Sequence, residues 1–488
     1  MNIREASSLD LFTDSIRLLG DATMCAVMEF DRRLDSATLE KAAQACLMAH
    51  PVLHSRLIRG DGPAVWELVN DVCVLPVRVE ACPEDYHSHV IGPVDPYGPV
   101  QFRVRLLCRP SSGDVIVINL AHAAADAFGL HTLMYQLLQE YQTPGSIPPA
   151  EGGIPERDTL WTQEVDLKGV PAPESESEPD PEAAPAPESE SEPKTVPEPE
   201  PEVESELKTE PEPEYESEPK PESESPEMTV INPMWPDPFG TSGEPSAFHR
   251  ECISSLEMEA IRTRVRALGG SINDAIIAAY FLSMSDLTGH QGPINIFFPV
   301  NLRQHRNDGS RVMSNQSANV CLSLEREEGE GMEEILPRVI RETKRMKENA
   351  IGIREQIVMD MASDPEGRQI HQMAEEMAAL QRSGFADVFV SNPGPITLPD
   401  MKEEGEVKGE VGVEGEGEGE GKGKGEGKGL TDAYICYPGT SMPCTCFVTS
   451  TFQGRMSVTM GYQDSDRARE GTRKAVGLFR EYLVGTIS

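Results

Sequence analysis

VIVINLAHAAADAFGLHTLMYQLLQEY, residues 115–141, is the stretch that decides the fold. Its opening VIVINLA (115–121) shows almost no alternation of apolar and polar side chains, the mark of a strand buried on both faces in the middle of a sheet. The next residues, His122 and Asp126, are the only polar side chains in a loop otherwise made of alanine and phenylalanine. From Leu130 to Tyr141 the apolar positions return every three or four residues, which predicts an amphipathic helix. The order is strand, polar pair, helix. A histidine at the end of a buried strand suits a general base, because neutral imidazole can take a proton from a hydroxyl or amine near neutral pH. The spacing His-x-x-x-Asp fits equally a loop histidine followed by an aspartate that starts a helix.

Working outward, Ser36 is placed to cap a helix that runs to about His50 and stops at Pro51. Short strands are expected at 65–69, 77–81 and 100–108, before the central one. A second block begins with Ser254 and Glu257 in capping-box spacing ahead of a helix ended by Gly269 and Gly270. A second helix starts at Ser271, with Asp274 three residues on. Strands are expected at 294–300, 318–324, 386–392, 432–437, 445–451 and 456–462, helices through about 332–381, and a closing helix from about Ser465. The fold class is α/β: two mixed sheets with helices, the late strands all assigned to the second sheet.

Between and within these blocks lie two biased segments. Pro171 to Met228 is written almost wholly in Pro, Glu and Ser, with about 21 acids against three lysines; 402–429 is a Gly/Glu/Lys repeat with about nine acids and five lysines. Neither holds enough apolar surface to offset chain entropy, so both are expected to be disordered. They carry about 22 of the chain's 39 net negative charges in 488 residues. The rest supports two folded blocks, residues 1–165 and 232–488. A nucleic-acid partner is excluded as an expectation, since no unbroken cluster of Lys and Arg could release counterions from phosphates. No run of about 18 apolar residues exists and the N-terminus lacks a signal-peptide pattern, so no integral membrane segment and a cytoplasmic location are expected.

Five motifs occur in one order: HPVLHSRL (50–57) with DPYGPVQFRVRLL (95–107) and the His122–Asp126 stretch; SINDAIIAAYF (271–281); FFPVNLR (297–303); FVSNPGP (389–395); and STFQGRMSVTMGY (450–462). Together they resemble the condensation-domain-like acyltransferases of the chloramphenicol-acetyltransferase fold, including nonribosomal-peptide condensation domains, alcohol acyltransferases and wax-ester synthases. The resemblance implies two similar halves forming a V with a central channel. It also implies transfer of an acyl group from a thioester, either acyl-CoA or a phosphopantetheine arm, to an alcohol or amine. No tightly bound cofactor and no metal are implied. Partners would be small-molecule donor and acceptor, with an acyl or peptidyl carrier protein as a candidate. His122 would be the base, and Asp126 would hold the loop through Arg303. Ser391, Asn392 and Gly394 would line the channel, with the Ser450 hydroxyl near the oxyanion.

The chain departs from the family's His-His-x-x-x-Asp-Gly at both ends, with Ala121 for the first His and Ala127 for the Gly. Alanine would be strained at 127 if the backbone there needs positive φ. The alternative is therefore a binding or scaffolding protein that keeps the fold without turnover. Arg303, Arg306, Lys344 and Arg345 are the candidate basic patch for an anionic donor. The ten cysteines read as reduced core thiols, and Cys436, Cys444 and Cys446 lack the spacing of a zinc site. His50, His54, His87, His89 and His131 read as structural, and Asn273 and Asp274 as a helix cap.

Overall fold

The first block of the computed structural model runs β1 (Ile3–Glu5), α1 (Ser8–Ser15), β2 (Thr23–Phe30), α2 (Ser36–Ala49), β3 (Ser55–Ile58) and β4 (Val65–Leu68). It continues with β5 (Val77–Ala81), β6 (Phe102–Cys108), β7 (Val115–Ala121) and α3 (Ala127–Gln142). The second block opens with β8 (Ser246–Ile253), α4 (Ser255–Ala267), α5 (Ile272–Thr288), β9 (Ile294–Asn301), β10 (Ser317–Leu324) and α6 (Met332–Glu348). After it come α7 (Ile353–Met361), α8 (Arg368–Arg382), β11 (Val388–Pro395), β12 (Leu430–Cys436), β13 (Thr445–Phe452), β14 (Arg455–Gln463) and α9 (Asp466–Gly485). The structure describes residues 3–70, 72, 77–150, 154, 246–305, 312–383, 388–399, 429–438, 445–463 and 465–485. The Pro/Glu/Ser segment 171–228 and the Gly/Glu/Lys loop up to 428 lie outside them, and so does the expectation of disorder.

β7 is buried at every residue and sits in the middle of a five-stranded sheet, order β12-β2-β7-β6-β5. This explains its near-continuous apolar run. Ile116, Ile118 and Leu120 point into a core shared with α2 and α3, while Val115 and Val117 meet Tyr86, Val90 and Tyr434 on the other face. β7 pairs antiparallel with both β2 and β6. The second block forms a six-stranded mixed sheet, order β10-β9-β11-β13-β14-β8, and β1-β4-β3 make a small third sheet. α5 is buried on all sides from Asp274 to Ser285, as an all-apolar helix must be. It packs between α6 and α9 in the second core.

One assignment is corrected. The strand around DAYICY does not join the second sheet: β12 runs antiparallel to β2, with Ala433 opposite Met28 and Cys436 opposite Cys25. Its outer edge still belongs to the other sheet. The Ile435 N–H donates to Ser450 Oγ (3.1 Å), and Thr459 Oγ1 donates to the Ile435 carbonyl (3.0 Å). An open strand edge is thus satisfied by side-chain hydroxyls. Arg250 of β8 closes the same seam, donating to Asp432 (2.5 Å), lying 3.7 Å from Glu29 and stacking on Tyr434 at 3.8 Å. The two sheets are therefore stitched by a strand that crosses from one block to the other.

Two helix starts also differ. The cap of α2 is Asp35, whose carboxylate accepts from Thr38 N at 2.7 Å, and Ser36 is the first helical residue. α3 begins at Ala127, three residues earlier than its apolar period shows, because Asp126 caps it. The Ser254–Glu257 capping box is present. Asp274 accepts from Ser271 N (2.6 Å) and from Thr343 Oγ1 (2.6 Å), tying α5 to α6. Among the described residues no single helix is long and apolar enough to cross a membrane.

Candidate active site

The strand β7 delivers His122 to a small cleft of about 10 Å³, with Asp14, Arg17, Asp21, Val94 and Pro96 around it. The His122 N–H donates to the Ala22 carbonyl (3.2 Å), so the residue starts its loop still tied to the sheet. The imidazole meets the Tyr437 ring edge-on at 6.4 Å between centroids. Its Nδ1 is buried without a hydrogen-bond partner among the described residues. Burial pushes the imidazole below its ordinary 6.5, and its own carbonyl, the Asp126 charge, Asn315 and the Ala125 carbonyl only partly oppose this. At neutral pH the ring is therefore neutral and free to accept a proton.

Asp126 is almost wholly buried and fully used. Oδ1 accepts from Gly129 N at 3.2 Å, the capping bond of α3. Oδ2 accepts from Arg303 Nη1 (2.7 Å), Gln316 N (2.9 Å) and Ser317 Oγ (3.1 Å). Burial alone would raise this carboxyl, but the Arg303 guanidinium and these hydrogen bonds hold it below the usual carboxylate value. Arg303 also donates to the Ser314 carbonyl (2.8 Å) and lies over the Phe128 ring at 4.5 Å. The ion pair thus joins the loop after β7 to the loop after β9, one from each block.

The other expected residues fall elsewhere. Asn392 donates to Asn273 Oδ1, and its own Oδ1 accepts from Gly394 N (3.1 Å). Gly394 adopts φ +88°, which a side chain would resist, at a register shift in the pairing of β11 with β13. Ser391 accepts through its carbonyl from Thr449 Oγ1 at 3.5 Å. These three form a turn of β11 joined to α5, and no hydrogen bond links them to His122. The Ser450 side chain is fully buried, and its Oγ accepts from the Ile435 N–H at the strand seam (3.1 Å).

The basic patch is corrected as well. Arg303 is spent on Asp126, Arg306 lies outside the described residues, and Arg345 pairs with Glu342 at 3.1 Å on α6. Of the three that are described, Lys344 and Arg345 are exposed. Among the described residues no cluster of His, Cys, Asp and Glu could hold a metal. Cys436 is buried opposite Cys25 and its thiol is raised by burial, while Cys444 lies outside the described residues. His131 is pushed down to about 4 by burial, and His50 bonds Gln136 at 2.5 Å. Ala127 is not strained: it is the first residue of α3, and Ala350 and Gln453 are the only non-glycine residues at positive φ among those described.

Sequence reasoning missed Asn315 and Asp10. Asn315 Nδ2 donates to the Ala123 carbonyl (2.8 Å) in the His122 loop and to Asp10 Oδ1 (3.1 Å). Asn315 lies in a short polar stretch with no motif or period to single it out, and Asp10 reads in the sequence only as the capping-box partner of Ser7.

No family model matches the chain, and no curated protein matches its sequence. Solved structures do match over the whole length. Polyketide synthase associated protein 5 from Mycobacterium tuberculosis aligns at TM-score 0.57 and 14% identity, over 98% of this chain and 96% of its own. The condensation domain of the monacolin K polyketide synthase aligns at TM-score 0.57 and 12% identity, over 100% and 98%. The cyclization-docking bidomain of a nonribosomal peptide synthetase from Sorangium cellulosum gives 0.58 and 10%, over 100% and 85%. The fold is that of the condensation domains.

Proposed function

We propose that this condensation-fold protein transfers an acyl group from a thioester to an alcohol or amine, with His122 as the general base. The observation that carries the reading is the His122 loop: a neutral imidazole in a cleft, on a loop clamped by the buried Asp126–Arg303 pair. In the reaction the acceptor's O–H or N–H proton passes to the imidazole as the acceptor attacks the thioester carbonyl. The tetrahedral intermediate then expels the thiolate, which recovers that proton as thiol. The chemistry asks the protein for position and for one proton acceptor, and for no covalent enzyme intermediate.

Neighbours drawn from polyketide and nonribosomal peptide synthases favour a donor carried on the phosphopantetheine arm of a carrier protein. The use of Arg303 by Asp126 agrees, since it takes one of the candidate cations for the phosphates of CoA. Free acyl-CoA stays the competing donor. The second reading, a fold kept for binding without turnover, rests on Ala121, which removes one of the family's two histidines. It is weakened at Ala127, where helical backbone removes the supposed strain.

The test is thiol release from a panel of acyl-CoA and acyl-pantetheine donors with mixed alcohol and amine acceptors, comparing wild type with His122→Ala. Acceptor-dependent release that vanishes in the variant is the expected result. Wild-type protein that binds a donor and never turns it over would overturn the acyltransferase reading in favour of a binding protein.

A further inference from the structure

Resting on His122 as the proton acceptor, we propose that Asn315 is its positioning residue: the carboxamide oxygen accepts from His122 Nδ1–H, fixes that tautomer, and leaves Nε2 bare to take the proton. The carboxamide is held so tightly that its oxygen has one direction left. Both Nδ2 hydrogens are committed, one to the Ala123 carbonyl at 2.8 Å and one to Asp10 Oδ1 at 3.1 Å. Asp10 is itself immobile. Its Oδ2 accepts from Arg4 Nη2 (2.9 Å), Ser7 N (3.0 Å) and Trp66 Nε1 (3.1 Å), with the side chain only 1% exposed. Flipping the amide would set its oxygen against the Ala123 carbonyl and the Asp10 carboxylate, two acceptors, so the assigned orientation is the only one that satisfies them.

The oxygen therefore points away from both anchors, and among the described residues it is buried with no hydrogen-bond partner. His122 Nδ1 is in the same condition, on the loop that Asn315 anchors one residue further along. Buried polar atoms left unpaired are rare, and here an acceptor on Asn315 and a potential donor on His122 are both left over, on a loop that Asn315 itself anchors at Ala123. Burial lowers the imidazole, and its own carbonyl, then the Asp126 charge, then Asn315 and the Ala125 carbonyl oppose this. A neutral amide suits the task, since it orients the ring without forcing it to stay charged, as a carboxylate at the same place would. Where the family has a histidine, Ala121 has no side chain that could do this.

The experiment labels the histidines with nitrogen-15 and follows the His122 imidazole by NMR from pH 5 to 9, assigning it by its absence in His122→Gln. Wild type is expected to be predominantly Nδ1–H. In Asn315→Ala the neutral ring is expected to become a mixture of tautomers and its titration midpoint to fall. With whichever donor and acceptor turn over, kcat is expected to drop about 10- to 100-fold while KM stays within about threefold, as for misplacement of a reacting group. A residue that merely braces the loop would lower the melting temperature and leave the tautomer alone. A folded Asn315→Ala protein with the wild-type tautomer and midpoint overturns the proposal, and so does a wild-type ring found as Nε2–H. If Asn315→Ala fails to fold, Asn315→Ser, which keeps a donor for Ala123, takes its place under the same criteria. A tautomer shift without turnover in any protein would sink the acyltransfer reading and leave the positioning role standing.

Discussion

Arg303→Met is the substitution that most directly tests how the two blocks cooperate. Methionine fills the guanidinium's space over Phe128 but leaves Asp126 without its counter-charge. The carboxylate would keep three hydrogen bonds, from Gly129 N, Gln316 N and Ser317 Oγ, in a site where it is 2% exposed. Removing one partner of a buried ion pair costs about 3–5 kcal/mol, because the remaining charge stays desolvated. With a urea m-value of about 3 kcal/mol per molar, that moves the unfolding midpoint down by about 1 M or more. Adding Asp126→Asn removes the stranded charge while an amide oxygen still caps α3 through Gly129. The double variant should therefore recover about 2 kcal/mol relative to the sum of the single losses. Urea unfolding followed by both fluorescence and circular dichroism measures the cycle. A loss under about 1 kcal/mol in Arg303→Met, or additivity within about 0.5 kcal/mol, would refute the claim that this pair clamps the loop across the blocks.

Further outcomes follow from the same geometry. Because burial lowers His122 below 6.5, kcat/KM should be flat above that pH, with an acid limb whose midpoint lies beneath it; a midpoint at or above 6.5 in a pH–rate profile contradicts the buried neutral ring. Asp126 is held below 3.8, so its share of stability is present above that pH and lost as pH falls through the lower folded value; melting curves of wild type and Asp126→Asn should converge there and diverge above. Ala127→Gly should bring no gain in turnover and cost up to about 1 kcal/mol in thermal stability, since the position is ordinary helix. Ser450→Ala should cost about 1–3 kcal/mol by orphaning the Ile435 N–H, with kcat per folded molecule unchanged.

The sequence showed its fold where one physical demand writes a pattern. β7 is apolar but for Asn119, whose amide bonds the Val90 carbonyl, because helices cover one face and Tyr86, Val90 and Tyr434 the other. α5 is apolar all round because α6 and α9 enclose it. β12 was misread for an equally physical reason: its pattern meets the needs of either sheet, and what assigns it to β2 is pairing across some 400 residues, which no local period records. The cap of α2 was missed by one residue, since Asp35 and Ser36 are both good caps and only backbone geometry chooses between them. His122, Asp126 and Arg303 were legible because their motif carries them. Asn315 and Asp10 were invisible because their value lies in bonds to residues far away in sequence.

This last point bears on how the site works. First-block bonds start the His122 loop, from His122 N to the Ala22 carbonyl and from Gly129 N to Asp126, and the second block completes its hold: Asp126 is met by Arg303, Gln316 and Ser317, and Ala123 by Asn315. Asn315 in turn is braced by Asp10 of α1, so the bonds run from the first block to the second and back. The crossing strand β12 repeats the arrangement at the sheets themselves, and Tyr437, one residue past it, is the ring that meets the imidazole. Any motion that parted the blocks would break the second block's bonds to the His122 loop. With His122 as the proposed base, its placement therefore depends on bonds that both blocks supply.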